Sequence, residues 1–354
     1  MNVGIIFGGR SAEHDVSIMS ARYVTRMVQA LNYTPTLMYI DRWGRWWFDA
    51  IAERALAEGA SIIPEPPMPP APAELLPPIE RLAQVDVVFP VLHGPFGEDG
   101  TLQGIFEVVG VPYVGSGVTG SAVGMDKVVA KHVFRAVDLP VLPYVVVYVH
   151  EVRDASAEVV ARVEAELSYP VFVKPANLGS SVGISKVHSA GDLVDALFTA
   201  ARYDSKIVVE QGISAREIEV GVLGNYTPRA SVVGEVVPGR EWYDYEAKYV
   251  DEGTRLLIPA PIAEDVADAA REMAIRAFRA VEATGLARVD FLLDKEAGTL
   301  YINEVNTMPG FTQVSMYPKV WEASGVPGEV LVDTLIQLGL ERYAERKGFA
   351  SYST

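Results

Sequence analysis

The chain has no cysteine among its 354 residues. Disulfides, thiolate catalysis and cysteine-ligated metals are therefore excluded. Positive charge is also scarce: 30 lysines and arginines face 46 aspartates and glutamates, for a net charge of −16. That balance argues against a nucleic-acid partner or an anionic membrane surface. An anionic small ligand would need local cations, so single lysines and arginines in glycine-rich settings carry weight. No apolar run is long enough to span a bilayer; the longest, Leu139 to Val149, is broken by two prolines. The first residues, MNVGIIFGG, run straight into a strand-like segment without the layout of a signal peptide. A soluble cytoplasmic protein is expected. The dinucleotide fingerprint and the P-loop order are both missing, and no internal repeat is visible. The remainder is globular material, 49% hydrophobic and 21% charged, long enough for two or three domains.

Val3 to Phe7 reads as a buried strand, Gly8 to Asp15 as a glycine turn, and the apolar spacing through Ile18, Val24, Met27 and Leu31 as a helix. Backbone N–H groups at such a turn often meet anions. Glu13 there is either a helix N-terminal acid or the partner of a substrate ammonium. Thr34 to Ile40 is a second strand, and Trp43 to Phe48 a short hairpin. Pro64 to Pro78 holds eight prolines in fifteen positions and is expected to be an extended surface connection without regular structure. Val85 to Leu92 is a buried strand ending in His93-Gly94-Pro95-Phe96-Gly97-Glu98-Asp99-Gly100, with a helix over Thr101 to Val109. His93 stands at the carboxyl end of a strand, where open α/β sheets bind ligands; a purely structural role is the alternative. Strands alternating with helices over this first third imply a parallel sheet.

Gly115 to Gly124 looks like a domain boundary. Asp126 and Lys127 then open a helix, with Lys131 one turn on. Pro170 to Ile184 reads as strand, loop, strand. Its small glycine and serine loop could fold over phosphates while Lys174 supplies charge, or could be a structural turn. Arg216 to Leu223 alternates, with Glu217 and Glu219 on one face. Glu241 to Tyr249 is dense in aromatics and charge and reads as a lid. In Arg288 to Ser315 two strands flank the turn signals Asp294, Lys295 and Gly298. If the strands pair antiparallel, Asp290, Glu304 and Asn306 converge as hard oxygen ligands suited to Mg2+, with Arg288 on the same face. A hairpin with solvated charges is the alternative.

In chain order, GGRSAEHDVS, HGPFGEDGTLQG, GSGVTGSAVGMDK, VKPANLGSSVGISKV, YDYEAKY, RVDF and NEVNTMPGFTQVS resemble the D-alanine–D-alanine ligases of the ATP-grasp superfamily. The resemblance covers nearly the whole chain; the proline-rich stretch is not part of it, and Asp15 stands where the family often has Glu. It implies an α/β and α+β fold in three domains: a parallel-sheet domain over 1–123 with the first D-alanine site, a central α+β subdomain over 124–214, and a C-terminal α+β domain over 215–354 with the metal site and lid. It implies that Lys127 and Lys174 bind ATP phosphates under a loop carrying Ser180 and Ser181. Glu210 and the backbone of Gln211 and Ile213 would meet adenine between Phe172 and Leu292, and Glu217 the ribose. Asp290, Glu304 and Asn306 would hold two Mg2+ ions, or Mn2+, with room for a monovalent cation such as K+. Glu13 would take the ammonium of the first D-alanine, His93 would lie near its carboxylate, and Ser315 and Lys248 would take the carboxylate of the second. Glu13, Ser180 and Tyr249 would close the lid by hydrogen bonds, and Arg288 and the Gly310 N–H would form an oxyanion hole. The implied reaction, in peptidoglycan synthesis, passes through an acyl phosphate, in a homodimer. D-alanyl-D-lactate and D-alanyl-D-serine ligases, or an ATP-binding relative without ligase activity, are the alternatives; the intact Lys248-Tyr249 favours the dipeptide.

Overall fold

The computed structural model describes residues 1–63, 68–154, 156–239 and 253–348. Its elements run in order as β1 (Asn2–Gly8), α1 (His14–Ala30), β2 (Thr34–Ile40), β3 (Trp46–Phe48), α2 (Asp49–Glu58), α3 (Ile79–Leu82), β4 (Val87–Pro90) and α4 (Thr101–Val109). The strands form one sheet in the order β3-β2-β1-β4. β1 is parallel to both β2 and β4, and β3 folds back antiparallel on β2 as the expected hairpin. The proline-rich stretch departs from expectation. Pro72–Leu75 forms a 3-10 turn, because proline is tolerated where a helix begins and its missing N–H is not needed. Glu74 closes that turn by accepting from the Ala71 N–H at 2.7 Å.

The chain continues through α5 (Val118–Met125), α6 (Lys127–Ala136), β5 (Tyr144–Tyr148), α7 (Val149–Asp154), α8 (Ser156–Glu166), β6 (Val171–Pro175), β7 (Ser185–Val187), α9 (Ala190–Ala200) and β8 (Lys206–Gln211). These strands make a second, antiparallel sheet in the order β5-β8-β6-β7. The apolar faces of α8 and α9 cover it, through Val159, Val163, Leu193 and Leu197.

A third sheet holds β9 (Ala215–Gly224), β10 (Arg229–Val237), β11 (Arg255–Leu257), β12 (Gly285–Asp294) and β13 (Leu300–Asn306), with helices α10 (Glu264–Ala280), α11 (Met316–Ala323) and α12 (Gly328–Lys347). Its order is β11-β10-β9-β12-β13, antiparallel throughout. One face packs on the apolar stripe of α10, which includes Ala270, Ala274 and Phe278. The first and third sheets share a core: Phe7 and Phe89 lie in one apolar cluster with Tyr317, Trp321, Leu335 and Ile336. Phe311 is pinned there, with its ring centroid 5.9 Å from Phe89 and 5.7 Å from Tyr317. The turn after β13 is thereby held against the first sheet. Among the described residues no helix is long and apolar enough to cross a membrane.

Candidate active site

The first wall of the site is built at the carboxyl ends of β1 and β4. Gly8 sits at φ +92, and a Cβ there would overlap the Ile40 carbonyl oxygen, so the turn requires glycine. The turn delivers Glu13 to the N-terminal cap position of α1. Its carboxylate reaches between two loops: a Cβ on Gly179 would lie 3.1 Å from Glu13 Oε2, and one on Gly94 3.5 Å away. Both glycines leave room for that carboxylate.

His93 is buried, with Nδ1 2.9 Å from the Met308 carbonyl and Nε2 3.1 Å from Ser20 Oγ. The carbonyl can only accept, so Nδ1 carries the proton and Nε2 accepts from Ser20. Ser20 Oγ accepts in turn from the Phe311 N–H at 3.2 Å. Burial lowers the His93 pKa against the opposing pull of Glu13, which keeps the ring neutral. Both its nitrogens are spent on protein partners. The ring therefore ties the first sheet to the Met308–Phe311 turn.

The second and third sheets enclose a cleft of about 1040 Å3. Phe172 and Leu292 both line it, as do Ile213 and Glu217. Lys127, at the start of α6, donates to the Leu178 carbonyl at 2.7 Å and lies 3.3 Å from Glu304. The helix is started there by Asp126, which accepts from the Val128 and Val129 N–H groups at 3.0 Å. Lys174 donates to Glu210 at 2.5 Å, and lies 3.5 Å from Asn303 Oδ1. The other Glu210 oxygen accepts from Lys131. Burial would raise the Glu210 pKa, but the two lysines reverse this and lower it to about 2. Glu210 is thus an ionised anchor shared by two cations, and it holds the Lys174 ammonium at the cleft wall. The Gln211 side chain turns away from the cleft, accepting from the Ser168 N–H and donating to the Ser168 carbonyl.

The loop over the cleft is unusual in its backbone. Ser180 and Ser181 take φ values of +53 and +58 in succession, which non-glycine residues seldom adopt. Ser180 Oγ is buried and makes no hydrogen bond with any described residue, so the expected Glu13–Ser180 bond is not formed in this conformation.

The strand face of β12 and β13 is arranged as the alternation requires. Asp290 pairs directly with Glu304 on one side and Glu219 on the other. Arg288 donates to both Asp290 oxygens at 2.7 and 2.6 Å and lies 3.0 Å from Glu219. Burial opposes its charge, but Asp290 and Glu219 outweigh that and raise its pKa well above the usual arginine value. Asn306 Nδ2 donates to Asp290 at 3.0 Å. Two carboxylates and an amide therefore meet on one face, next to Lys127. The set is not a closed cage: among the described residues no group of three or more His, Asp or Glu is drawn together for a metal. It does suit Mg2+, which takes few protein oxygens and completes its shell with water and phosphate. At the far end, Gly310 approaches Ser315, with a Cβ there 3.1 Å from Ser315 Oγ. Ser315 occupies the N-terminal cap position of α11 and exchanges hydrogen bonds with Thr312. Its position at a helix N-terminus suits a carboxylate.

Lys131, Glu98 and Glu219 take part in this arrangement, although none was among the candidate site residues. Lys131 is signalled by its one-turn spacing from Lys127, and Glu219 by its sharing a face with Glu217. Glu98 lies inside the His93 motif but carries no separate signal. Lys248 and Tyr249, expected to form the lid, lie outside the described residues.

Comparison with known proteins identifies the family. Residues 2–116 match the model of the D-ala D-ala ligase N-terminus, and 133–337 that of the C-terminus. A D-alanine–D-alanine ligase of Heliobacterium modesticaldum is 51% identical over 98% of this chain and 96% of its own length. One from Synechococcus is 50% identical over 95% of this chain and 97% of its own. The solved D-alanine–D-alanine ligase of Coxiella burnetii aligns at a TM-score of 0.80 and 33% identity, over 98% of this chain and 96% of that one. The VanG D-Ala:D-Ser ligase of Enterococcus faecalis aligns at 0.82 and 32% identity, over 96% and 99%. The chain belongs to the D-alanine–D-alanine ligase family of the ATP-grasp superfamily.

Proposed function

We propose that the protein joins two D-alanines to D-alanyl-D-alanine at the expense of ATP, for peptidoglycan synthesis. The observation that carries this reading is the convergence of Glu13, the lysine-lined cleft and the Arg288–Asp290–Glu304–Asn306 face on one site. ATP would enter the cleft with adenine between Phe172 and Leu292, against Glu210, Gln211 and Ile213, and its ribose on Glu217. Lys127 and Lys174 would offset phosphate charge, and Ser180 and Ser181 would cover it. Asp290, Glu304 and Asn306 would hold two Mg2+ ions or Mn2+, which when bound neutralise charge on the transferring phosphoryl group; a monovalent cation such as K+ could lie nearby.

Glu13 would hold the ammonium of the first D-alanine, whose carboxylate attacks the γ-phosphate of ATP to give an acyl phosphate and ADP. The amine of the second D-alanine then attacks that carbonyl, and phosphate leaves. Arg288 and the Gly310 N–H would stabilise the oxyanion; removing one such donor typically costs about 2.7–4 kcal/mol. Ser315 and Lys248 would fix the second carboxylate, and Tyr249 would help exclude water from the acyl phosphate. His93 would act by orienting the Met308–Phe311 turn, beside the first substrate. Domain divisions near 123 and 214, a cytoplasmic homodimer, and no nucleic-acid or membrane partner complete the reading.

Because a D-Ala:D-Ser ligase shares the fold, the second substrate must be tested directly. We expect phosphate release with D-alanine and ATP alone, yielding D-alanyl-D-alanine. Turnover only when D-lactate or D-serine is added would overturn the dipeptide assignment. ATP binding without turnover on any of these would overturn the ligase.

A further inference from the structure

A smaller cavity of about 140 Å3 lies behind the loop that carries His93 and shares no lining residue with the nucleotide cleft. Its walls are mostly apolar, Trp46 from β3, Leu92 after β4, Ile105 from α4, and Leu75 and Pro77 from the proline-rich stretch, with His93 and Thr101 also lining it. That stretch lies outside the motifs by which the chain resembles its family. Its 3-10 turn gives it a defined shape there.

Arg10 and Phe96 also line this cavity on its solvent side, with the guanidinium carbon 4.9 Å from the ring centroid. Phe96 is half-exposed and held at φ +64, a region aromatic residues rarely adopt. The Arg10 stem is packed over Gly44, where a Cβ would come within 2.7 Å of Arg10 Cδ. Its guanidinium makes no hydrogen bond or ion pair with any described residue. In a chain with 46 acidic and 30 basic residues, an exposed arginine with no anionic partner among the described residues, held beside an apolar cavity, is placed to take an anionic ligand. A guanidinium takes a carboxylate through two parallel N–H donors.

Size fixes the rest of the occupant. An engineered apolar cavity of about 150 Å3 holds benzene, so the space here accepts one aromatic ring or a branched aliphatic group of similar bulk. We infer that this cavity binds a small aromatic or branched aliphatic carboxylate, its apolar body between Trp46, Leu75 and Ile105 and its carboxylate on Arg10.

Titration calorimetry of the full-length protein with phenylacetate, and with benzyl alcohol as the uncharged counterpart, tests this. Phenylacetate is expected to bind one to one, at least tenfold more tightly than benzyl alcohol, and equally well when the cleft is saturated with a non-hydrolysable ATP analogue. Arg10→Gln is expected to weaken it at least tenfold, and Ile105→Phe, which fills the cavity, to weaken it as much. Thermal melts of both variants establish that they are folded, and either one suffices to test the site. Displacement by the nucleotide analogue, unchanged affinity in a folded variant, or no binding at millimolar phenylacetate would each overturn the inference.

Discussion

Glu98 is a buried carboxyl group that accepts from the Gly94 N–H at 2.8 Å and the Met308 N–H at 3.3 Å. Burial raises its pKa and the nearby charge of Glu13 raises it further; the two N–H groups oppose this, and it stands at about 8. An ordinary glutamate titrates near pH 4.3. Between pH ~4.3 and about 8 the folded state therefore keeps a proton that the unfolded chain has lost. The Glu98 contribution to stability is fully present below that window, declines as pH rises through it, and is level above about 8. Glutamine at this position cannot titrate. The melting temperature of the parent protein minus that of Glu98→Gln is thus expected to fall from pH 5 to 8 and then flatten. A pH-independent difference in thermal melts would contradict the assigned protonation. The sequence carries the Glu98 motif but not the burial that gives it this behaviour, because its second partner, Met308, arrives from the end of a different sheet.

At the scale of the element, α5 shows a local preference and a tertiary contact pulling in opposite directions. Its glycines 120 and 124 lie one turn apart on a single face. A Cβ on Gly120 would overlap the Glu282 carbonyl oxygen, and one on Gly124 would come 2.9 Å from Thr307 Cγ2. Helix propensity favours alanine over glycine by about 1 kcal/mol, whereas overpacking a close contact costs about 1–3 kcal/mol. The obstacle at Gly120 is backbone and cannot rotate away. Gly120→Ala is expected to lower stability by up to about 2 kcal/mol net in urea unfolding, and a gain would show that α5 can shift freely. The same tension explains what the chain reveals of itself. The glycine-rich stretch reads as a boundary from composition, and from Val118 onward it folds as a helix whose glycines allow close packing on Glu282 and Thr307. The β12–β13 hairpin is legible from alternation and turn residues, which are local. Its register shift between Asp290 and Phe291 and its central partner β9 are not, since both depend on distant strands.

Across the whole molecule, the first and third sheets share one apolar cluster, whereas the second sheet has its own core under α8 and α9. Its other face meets α6 through a small group, Val128, Tyr144, Ala176 and Val208. Three domains follow from the family resemblance; that the first and third sheets are welded through Phe311, Tyr317 and Trp321 is not legible, because those contacts join opposite ends of the chain. Regions with fewer shared buried contacts open more readily than the global unit. Hydrogen exchange without nucleotide is therefore expected to be faster in β5, β6 and β8 than in β1, β9 and β12. A non-hydrolysable ATP analogue bound between the second and third sheets would add contacts available only in the closed arrangement, and stabilise it by mass action. Protection should then rise most in the loop over residues 176–184 and in β6 and β8, and little in β1. Equal exchange in all three sheets without nucleotide would show that the second sheet is as firmly joined as the others. Uniform protection on adding the analogue would show that nucleotide acts on the molecule as one body.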